Sequence, residues 1–486
     1  MNRKHEELLD EIARQSMVDQ GLDPDFNKDV RKQLEGIRGP ARGDDESIRD
    51  MRGYGWCSID NDDSRDLDQL TWGEDALDGN TRLFIAVADV DALVKKDTPI
   101  DRHARHNTTS VYTAATLFPM LPEKLSTDFT SLNEGEDRVA LIIDLTVNED
   151  GHVVAEDVYR GLVHNKAKLA YDRVAAWLDG EQDEPEKLSR VEGLAESLRL
   201  QDRAADRMRD LRHENGALDL ETIEAKPVIV DGRVVELRQA KRNNARLLIE
   251  DFMIAANGVT ARFLARNKFA SIRRVVRSPE RWDRIERIAE ELGDRLPPEP
   301  DARALEEFLK RRKKLDPIRF PDLSLSIVKA MGAGEYVVEE PGDKPAGHFG
   351  LAVKDYTHST APNRRYPDLI THRLAKAALA GEEPPYSVDE LAELAEHCTN
   401  QEDAANKVER HVRKAAAAYM LADRVGDTFD GIVTGASAKG TWVRIFNPPI
   451  EGKVVRGAEG LDIGDRTRVK LLGVDVDKGF IDFGRR

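Results

Sequence analysis

The stretch "SIDNDDSRDLDQLTW", residues 58–72, sets five aspartates between two runs with the character of β-strands. Carboxylates this dense repel one another unless a cation sits among them or water screens them. A fold built on this segment must turn the acids out to solvent or gather them around something positive. Asp60 falls at the end of the strand-like run "GWCSI". Asp66 and Asp68 lie two apart, so an extended chain puts both on one side. Converging carboxylates suit hard divalent cations, Mg²⁺ in particular, which take oxygen ligands. Two such ions can hold the attacking and leaving oxygens of a phosphodiester displacement. A twelve-residue calcium loop is excluded, because counting from Asp60 puts Arg65 and Thr71 where Gly and Glu are needed. A solvated acidic turn fits the spacing as well, with Asp62 and Asp63 facing solvent and Arg65 relieving part of the repulsion.

A second stretch, "GHFGLAVKDYTHSTAPNRRYPDLITHR" at 347–373, carries two adjacent arginines into a helix-like run. A guanidinium binds phosphate oxygens bidentately, which makes Arg364 and Arg365 candidate phosphate clamps. Surface salt-bridging is the plainer alternative for either one. His348, His358 and His372 stand ten and fourteen residues apart, and that spacing matches no common zinc site.

At 486 residues the chain has room for two to four domains. No run of about 18 apolar residues occurs, which excludes a membrane-spanning helix. The N-terminus lacks the apolar core of a signal peptide, and the two cysteines, Cys57 and Cys398, lie far apart. A reducing cytoplasm is therefore expected. The net charge of -17 argues against a nucleic-acid partner, but it is an average over the whole chain. Positive charge clusters in "KRNNAR" at 241–246, "SIRRVVR" at 271–277, "KRRKK" at 310–314 and "NRR" at 363–365. These segments are candidates to line a basic channel inside an acidic exterior.

Apolar spacing predicts helices over residues 1–37, either a helix-turn-helix unit or a helical pair packed on the main body. "RGPARGDDES" at 38–47 reads as a linker, and strands follow from about 51 in "GWCSI", "RLFIAVADV" and "VALIIDLTV". Helices are predicted near 184–212 and 241–267. After "PPYS" a helical region runs to about 425, with capping-box starts at Ser387 with Glu390 and at Thr399 with Glu402. The last sixty residues are short strands with Gly-rich turns, the pattern of a small β-barrel.

Together these stretches resemble the RNB catalytic domain of the ribonuclease II / RNase R family. The family's acidic signature, D-x5-D-x-D-D, appears as Asp60, Asp66, Asp68 and Gln69. Its T-S-P-I-R-R-Y-P-D segment appears as "STAPNRRYPD". "FPMLPEKLSTDFTSL", "NKAKLAYDRVAAWL" and "IEDFMIAAN" resemble further family segments in the same order, and the likeness covers 56 to about 425. It implies a multidomain α+β chain with a helical region over 1–50 and a mixed α/β RNB-type catalytic domain over 51–425. An OB-fold RNA-binding barrel of the S-one type would occupy 426–486.

The activity implied is a Mg²⁺-dependent hydrolytic 3′–5′ exoribonuclease, with Mn²⁺ as an alternative ion. It would degrade single-stranded RNA to nucleoside 5′-monophosphates in RNA decay and processing. Carried over by position, Asp60, Asp66, Asp68 and Gln69 would hold metal, with Asp68 and Arg364 catalytic and Arg365 beside them on the RNA. Tyr112 would pack on the 3′-terminal bases, Tyr171 and Glu250 would favour ribose, and Glu409 would lie near the 3′ base. In the barrel, Lys439, Trp442, Phe446 and Arg444 are the RNA-contact candidates. A cytoplasmic monomer with no membrane association is the family expectation.

The chain departs from the pattern where Gln69 replaces an aspartate and where Leu220, in "GALDL", stands in place of a clamp aromatic. Ala361 and Asn363 also vary the turn before Arg364. About 55 residues precede the catalytic region, too few for the two cold-shock domains common in the family. A weakened metal site would leave an RNA-binding regulator. A phosphohydrolase acting on small substrates would explain the carboxylates but neither the tyrosine nor the barrel.

Overall fold

Residues 81–88 and 137–147 carry the unbroken apolar runs 83–88 and 139–143, as strands covered on both faces do. A computed structural model places them as Thr81–Ala88 and Asp137–Val147, neighbours near the middle of a seven-stranded sheet. The structure describes residues 3–221, 225–230, 233–239, 242–279, 281–437 and 440–486, with backbone alone for 3–5 and 225–239. Across the sheet the order is Ile48–Asp50, Val153–His164, Asp137–Val147, Thr81–Ala88, Gln69–Asp75, Cys57–Asp60 and Ala167–Ala170. The two outermost pairings are parallel and the inner ones antiparallel.

Alternate residues of the central strands serve two cores. Leu83, Ile85, Val87, Leu141, Ile143 and Leu145 share one cluster with Leu198 of helix Leu194–Glu214 and with Leu248 and Phe252 of helix Asn244–Arg266. Phe84, Ala86, Ala140 and Ile142 face the other way, onto Trp56, Leu67 and Leu132. Truncating a fully buried ring such as Phe252 to alanine costs about 3–5 kcal/mol. Leu67 thus anchors the acidic stretch into the second core, between Asp66 and Asp68.

Both predicted N-terminal helices are present, as Arg3–Asp19 and Lys28–Gly36. They pack on the main body. The first lies along helix Val388–Leu421, with Ala13 and Met17 against Ala404, Ala405 and Val408, and with Leu9 and Ile12 against Ala415 and Ala416. The second meets helix Pro99–Asn107.

The predicted second start at Thr399 is not a start. Val388–Leu421 is one helix of 34 residues, capped at Ser387, whose side chain accepts from Glu390 N. Inside it the Thr399 hydroxyl donates to Ala395 O and accepts from Tyr336 N. Glu402 pairs with Arg274 instead of closing a capping box. Capping-box spacing carries no information once the preceding turn is itself helical.

The C-terminal strands close into a barrel in the order Thr428–Ser437, Gly440–Ile445, Glu451–Arg456, Phe480–Arg485 and Arg466–Asp475. Phe429, Val443, Ile445, Val469, Leu471 and Phe483 fill it, joined by Ala418 and Leu421 from the end of the long helix. A largely buried ion pair, Arg444 to Asp322 at 2.8 Å, ties the barrel to helix Phe320–Met331. No described helix is long and apolar enough to cross a membrane.

Candidate active site

The acidic stretch leaves the sheet at Asp60 and returns at Gln69. Asp60 is the last residue of Cys57–Asp60, paired in parallel with Ala170. Its Oδ1 accepts from Asn61 N at 2.7 Å and from Ser64 Oγ at 2.8 Å, which closes the loop back on the strand end. Further on, Leu67 N donates to Ser131 Oγ, and Leu132 N to Leu67 O. With Leu67 held inward, Asp66 and Asp68 flank it on the other side. Arg65, expected to relieve repulsion between aspartates, turns away to Glu123 at 2.9 Å. The cation that steadies the loop is Lys168, whose ammonium donates to the carbonyls of Asp62 and Ser64.

Backbone pairing brings the other two motifs to this loop. Ser110 N donates to Arg364 O and Tyr366 N to Thr108 O, so the segment leading to Tyr112 is zipped to the arginine turn. Asn363 N donates to Asp68 Oδ1 at 3.1 Å, and Arg364 Nε lies 3.3 Å from Asp68 Oδ2. The Tyr112 hydroxyl donates to Asp66 Oδ2 at 3.1 Å, while Glu409 Oε1 accepts from Tyr112 N at 2.9 Å. Asp66, Asp68, Tyr112, Arg364 and Glu409 thus meet from four separate parts of the sequence, with Asp60 at the strand end that opens the loop.

Asp68 is buried, and its carboxyl is pushed up to about 7, by burial first. Arg364 opposes that rise and Asp66 adds to it. Tyr112 and Tyr171 are both shifted upward, by burial and then by the charges of Asp66 and Asp60 respectively, so both stay protonated donors. A buried carboxyl crowded by a second one is a site that an added cation stabilises. The all-oxygen donor set therefore fits a hard divalent ion by its chemistry. The geometry is not a ready-made cage: among the described residues no three His, Cys, Asp or Glu side chains gather at one point. Each aspartate is instead engaged by protein donors.

The remaining expected site residues divide in two. Tyr171 opens helix Tyr171–Leu178 directly after Ala170, beside the end of the Asp60 strand. Glu250 lies half-exposed on helix Asn244–Arg266, with Arg242 at 3.7 Å. Gln69 begins its strand opposite Val87. Arg365, expected beside Arg364 on the phosphate, instead turns back to buried Asp368 at 2.7 Å, and Asp368 also accepts from Ala361 N. It braces the turn that presents Arg364.

In the barrel, Trp442 and Phe446 lie under the cations of Lys453 and Arg466, each 5.9 Å from the ring centroid. Lys439 lies outside the described residues. Arg444, expected to face RNA, is engaged by Asp322. Leu220 packs in the helical core with Phe308 and Phe320. Most of the basic runs are likewise taken by acids: Arg273 by Glu339, Arg277 by Glu335, Arg311 by Asp294 and Lys313 by Asp219.

One neighbour of the site, Lys168, escaped the sequence reading, although it lies within "NKAKLAYDRVAAWL". Arg246, the last residue of the basic run "KRNNAR", lies with its guanidinium 4.4 Å from the centroid of the Tyr171 ring and donates to Asn61 Oδ1 at 2.7 Å. The three histidines are packing groups: His348 and His358 meet the Tyr356 ring edge-on, and His372 bonds Ser359 O.

Comparison with known proteins identifies the family. The RNB domain model matches residues 48–381, and the model for the RNase II-type exonuclease C-terminal S1 domain matches 427–486. Ribonuclease R of Escherichia coli is 31% identical over 93% of this chain, which spans 59% of that protein's length. Ribonuclease R of Aquifex aeolicus is 30% identical over 95% of the chain, covering 68% of that protein. Among solved structures, Mycoplasma genitalium RNase R in complex with ribose methylated single-stranded RNA superposes with a TM-score of 0.87. It is 22% identical, covering 98% of this chain and 77% of that one. The ordered acidic and arginine motifs, the sheet that joins them and the closed C-terminal barrel place this chain in the RNase II / RNase R family.

Proposed function

We propose that the protein is a hydrolytic 3′–5′ exoribonuclease that degrades single-stranded RNA to nucleoside 5′-monophosphates with Mg²⁺, or with Mn²⁺ in its place. The observation that carries this reading is the buried Asp68 carboxyl, crowded by Asp66 and faced by a half-exposed arginine. Asp60, Asp66 and Asp68 would hold the metal, aided by the amide oxygen of Gln69. An ion held there would supply positive charge against the scissile phosphate and a water of lowered pKa.

The protein's own groups do the rest. The Arg364 guanidinium binds phosphate oxygens as negative charge grows on them. Its backbone is fixed by Ser110 and its turn by Asp368, so little ordering is left for the moment of reaction. The half-exposed Tyr112 ring offers a stacking face for the terminal bases, held in place by Asp66 and Glu409. Tyr171 and Glu250 would read the ribose, whose 2′-hydroxyl separates RNA from DNA. In this reading 51–425 is the catalytic unit and 426–486 adds RNA affinity. The enzyme acts as a cytoplasmic monomer, in keeping with two buried free cysteines.

The test is incubation with 5′-labelled single-stranded RNA, with Mg²⁺ or a chelator, for the native chain and Asp68→Asn. Stepwise Mg²⁺-dependent shortening from the 3′ end, with mononucleotides released and lost in the variant, is expected. Binding without shortening across Mg²⁺ and Mn²⁺ concentrations would make the protein an RNA-binding regulator instead. Light scattering on the purified chain checks the monomer.

A further inference from the structure

The parallel pair Cys57–Asp60 and Ala167–Ala170 ends with Asp60 opposite Ala170. The next residue on each strand is Asn61 and Tyr171. One side chain from a third element spans both: Arg246, in the first turn of helix Asn244–Arg266. Its guanidinium lies 4.4 Å from the centroid of the Tyr171 ring and donates to Asn61 Oδ1 at 2.7 Å. The helix start is docked on the same neighbourhood, since Asn243 Nδ2 donates to Asp172 Oδ1 at 2.8 Å. Glu250 follows Arg246 by four residues, one helical turn along the same face.

Arg246 therefore joins the end of the Asp60 strand to the tyrosine expected to meet the sugar, one helical turn from Glu250. One detail sets it apart from an ordinary surface arginine. Its Nε is buried and has no protein acceptor. A buried donor left unpaired is unfavourable, so a small shift of the side chain on binding that gives it a sugar oxygen or an ordered water would be favoured.

We propose that Arg246 is a positioning residue for sugar recognition: it fixes the Tyr171 ring against the Asp60–Ser64 loop so that the 3′-terminal ribose is read by a rigid wall. The inference rests on the exoribonuclease reading, and it adds a residue with no place among the acids, the arginine clamp or the base-stacking tyrosine. Lysine at this position keeps a cation over the ring but loses the planar fork that reaches Asn61 at the same time.

The test compares a short 5′-fluorescein RNA with the same oligonucleotide carrying one 2′-deoxynucleotide at its 3′ end. Binding is followed by anisotropy in chelator, where nothing is cleaved, and kcat and KM are measured separately in Mg²⁺, using full-length native protein, Arg246→Ala and Arg246→Lys. Loss of one charge-assisted contact corresponds to about a tenfold fall in the preference for the ribose end in Arg246→Ala. Arg246→Lys should lie between Arg246→Ala and the native chain, and the melting temperature should change little. An equal loss on both oligonucleotides, or an unchanged preference, overturns the proposal, because a merely structural arginine would behave that way. Native protein that shortens RNA without any ribose preference overturns this inference alone. Native protein that neither binds nor shortens RNA overturns the function on which it rests.

Discussion

Arg364 meets Asp68 through Nε at 3.3 Å, longer than a well-formed charge-assisted bond, although Asp68 is buried and the arginine is half-exposed. The carboxyl is thus only partly compensated. Burial is what pushes its pKa up to about 7, and a contact this loose offsets only part of that rise.

Asp68→Asn keeps the shape and removes a buried charge that Asp66 repels. Activity should be lost while the metal-free melting temperature at pH 7 stays level or rises. Scanning fluorimetry beside the RNA assay checks both, and a large loss of stability would contradict the assignment. Arg364→Ala should cost about 10²–10³ in kcat with a smaller effect on KM, the pattern for a contact made chiefly in the transition state.

Gln69→Asp places a further carboxylate next to Asp68. Without metal it should lower the melting temperature through added repulsion. With millimolar Mg²⁺ it should show a larger upward shift than the native protein, because the ion binds the folded state more tightly. Thermal scans across a Mg²⁺ series separate the two effects.

Arg444 and Asp322 form a largely buried pair between the barrel and helix Phe320–Met331. Removing either partner strands a charge, at about 3 kcal/mol, whereas replacing both by Met and Leu should be close to neutral. A double-mutant cycle by chemical denaturation measures this. Proteolysis in the 422–427 connection should quicken in the single variants.

Burial holds His348 neutral, with its pKa pushed down to about 4, and His358 and His372 are lowered by the same cause. In the unfolded chain each titrates near pH ~6.5. Below that pH the unfolded state binds more protons than the folded one. Stability that is full above ~6.5 is therefore lost as pH falls toward 4. His348→Gln should flatten the dependence between pH 7 and 5 by about 2 kcal/mol, read from denaturation midpoints at each pH.

Much of this is legible in the sequence. The runs "RLFIAVADV" and "VALIIDLTV" predict strands, and the spacing of Asp60, Asp66 and Asp68 puts them on one loop. Partners in space were less accessible. Nothing in "NRRYPD" distinguishes Arg364, which reaches Asp68, from Arg365, which turns inward to Asp368. The basic runs looked like a channel because their acidic partners, Glu335, Glu339, Asp294 and Asp219, lie far away in sequence. Arg65 illustrates the same limit: the nearest acids along the chain are not the one it meets.

Helix Val388–Leu421 carries Glu402 on Arg274, Glu409 on the backbone of Tyr112, Ala415 against the N-terminal helix and Leu421 in the barrel core. A rod of 34 residues is about 51 Å long and turns by about 100° per residue. The angular setting of the barrel about Tyr112 is therefore fixed by residue count. One residue inserted or deleted between Glu409 and Ala418 would swing the barrel through more than a quarter-turn while leaving every side chain on both sides unchanged. In this molecule the length of a helix is itself a coordinate of the binding surface.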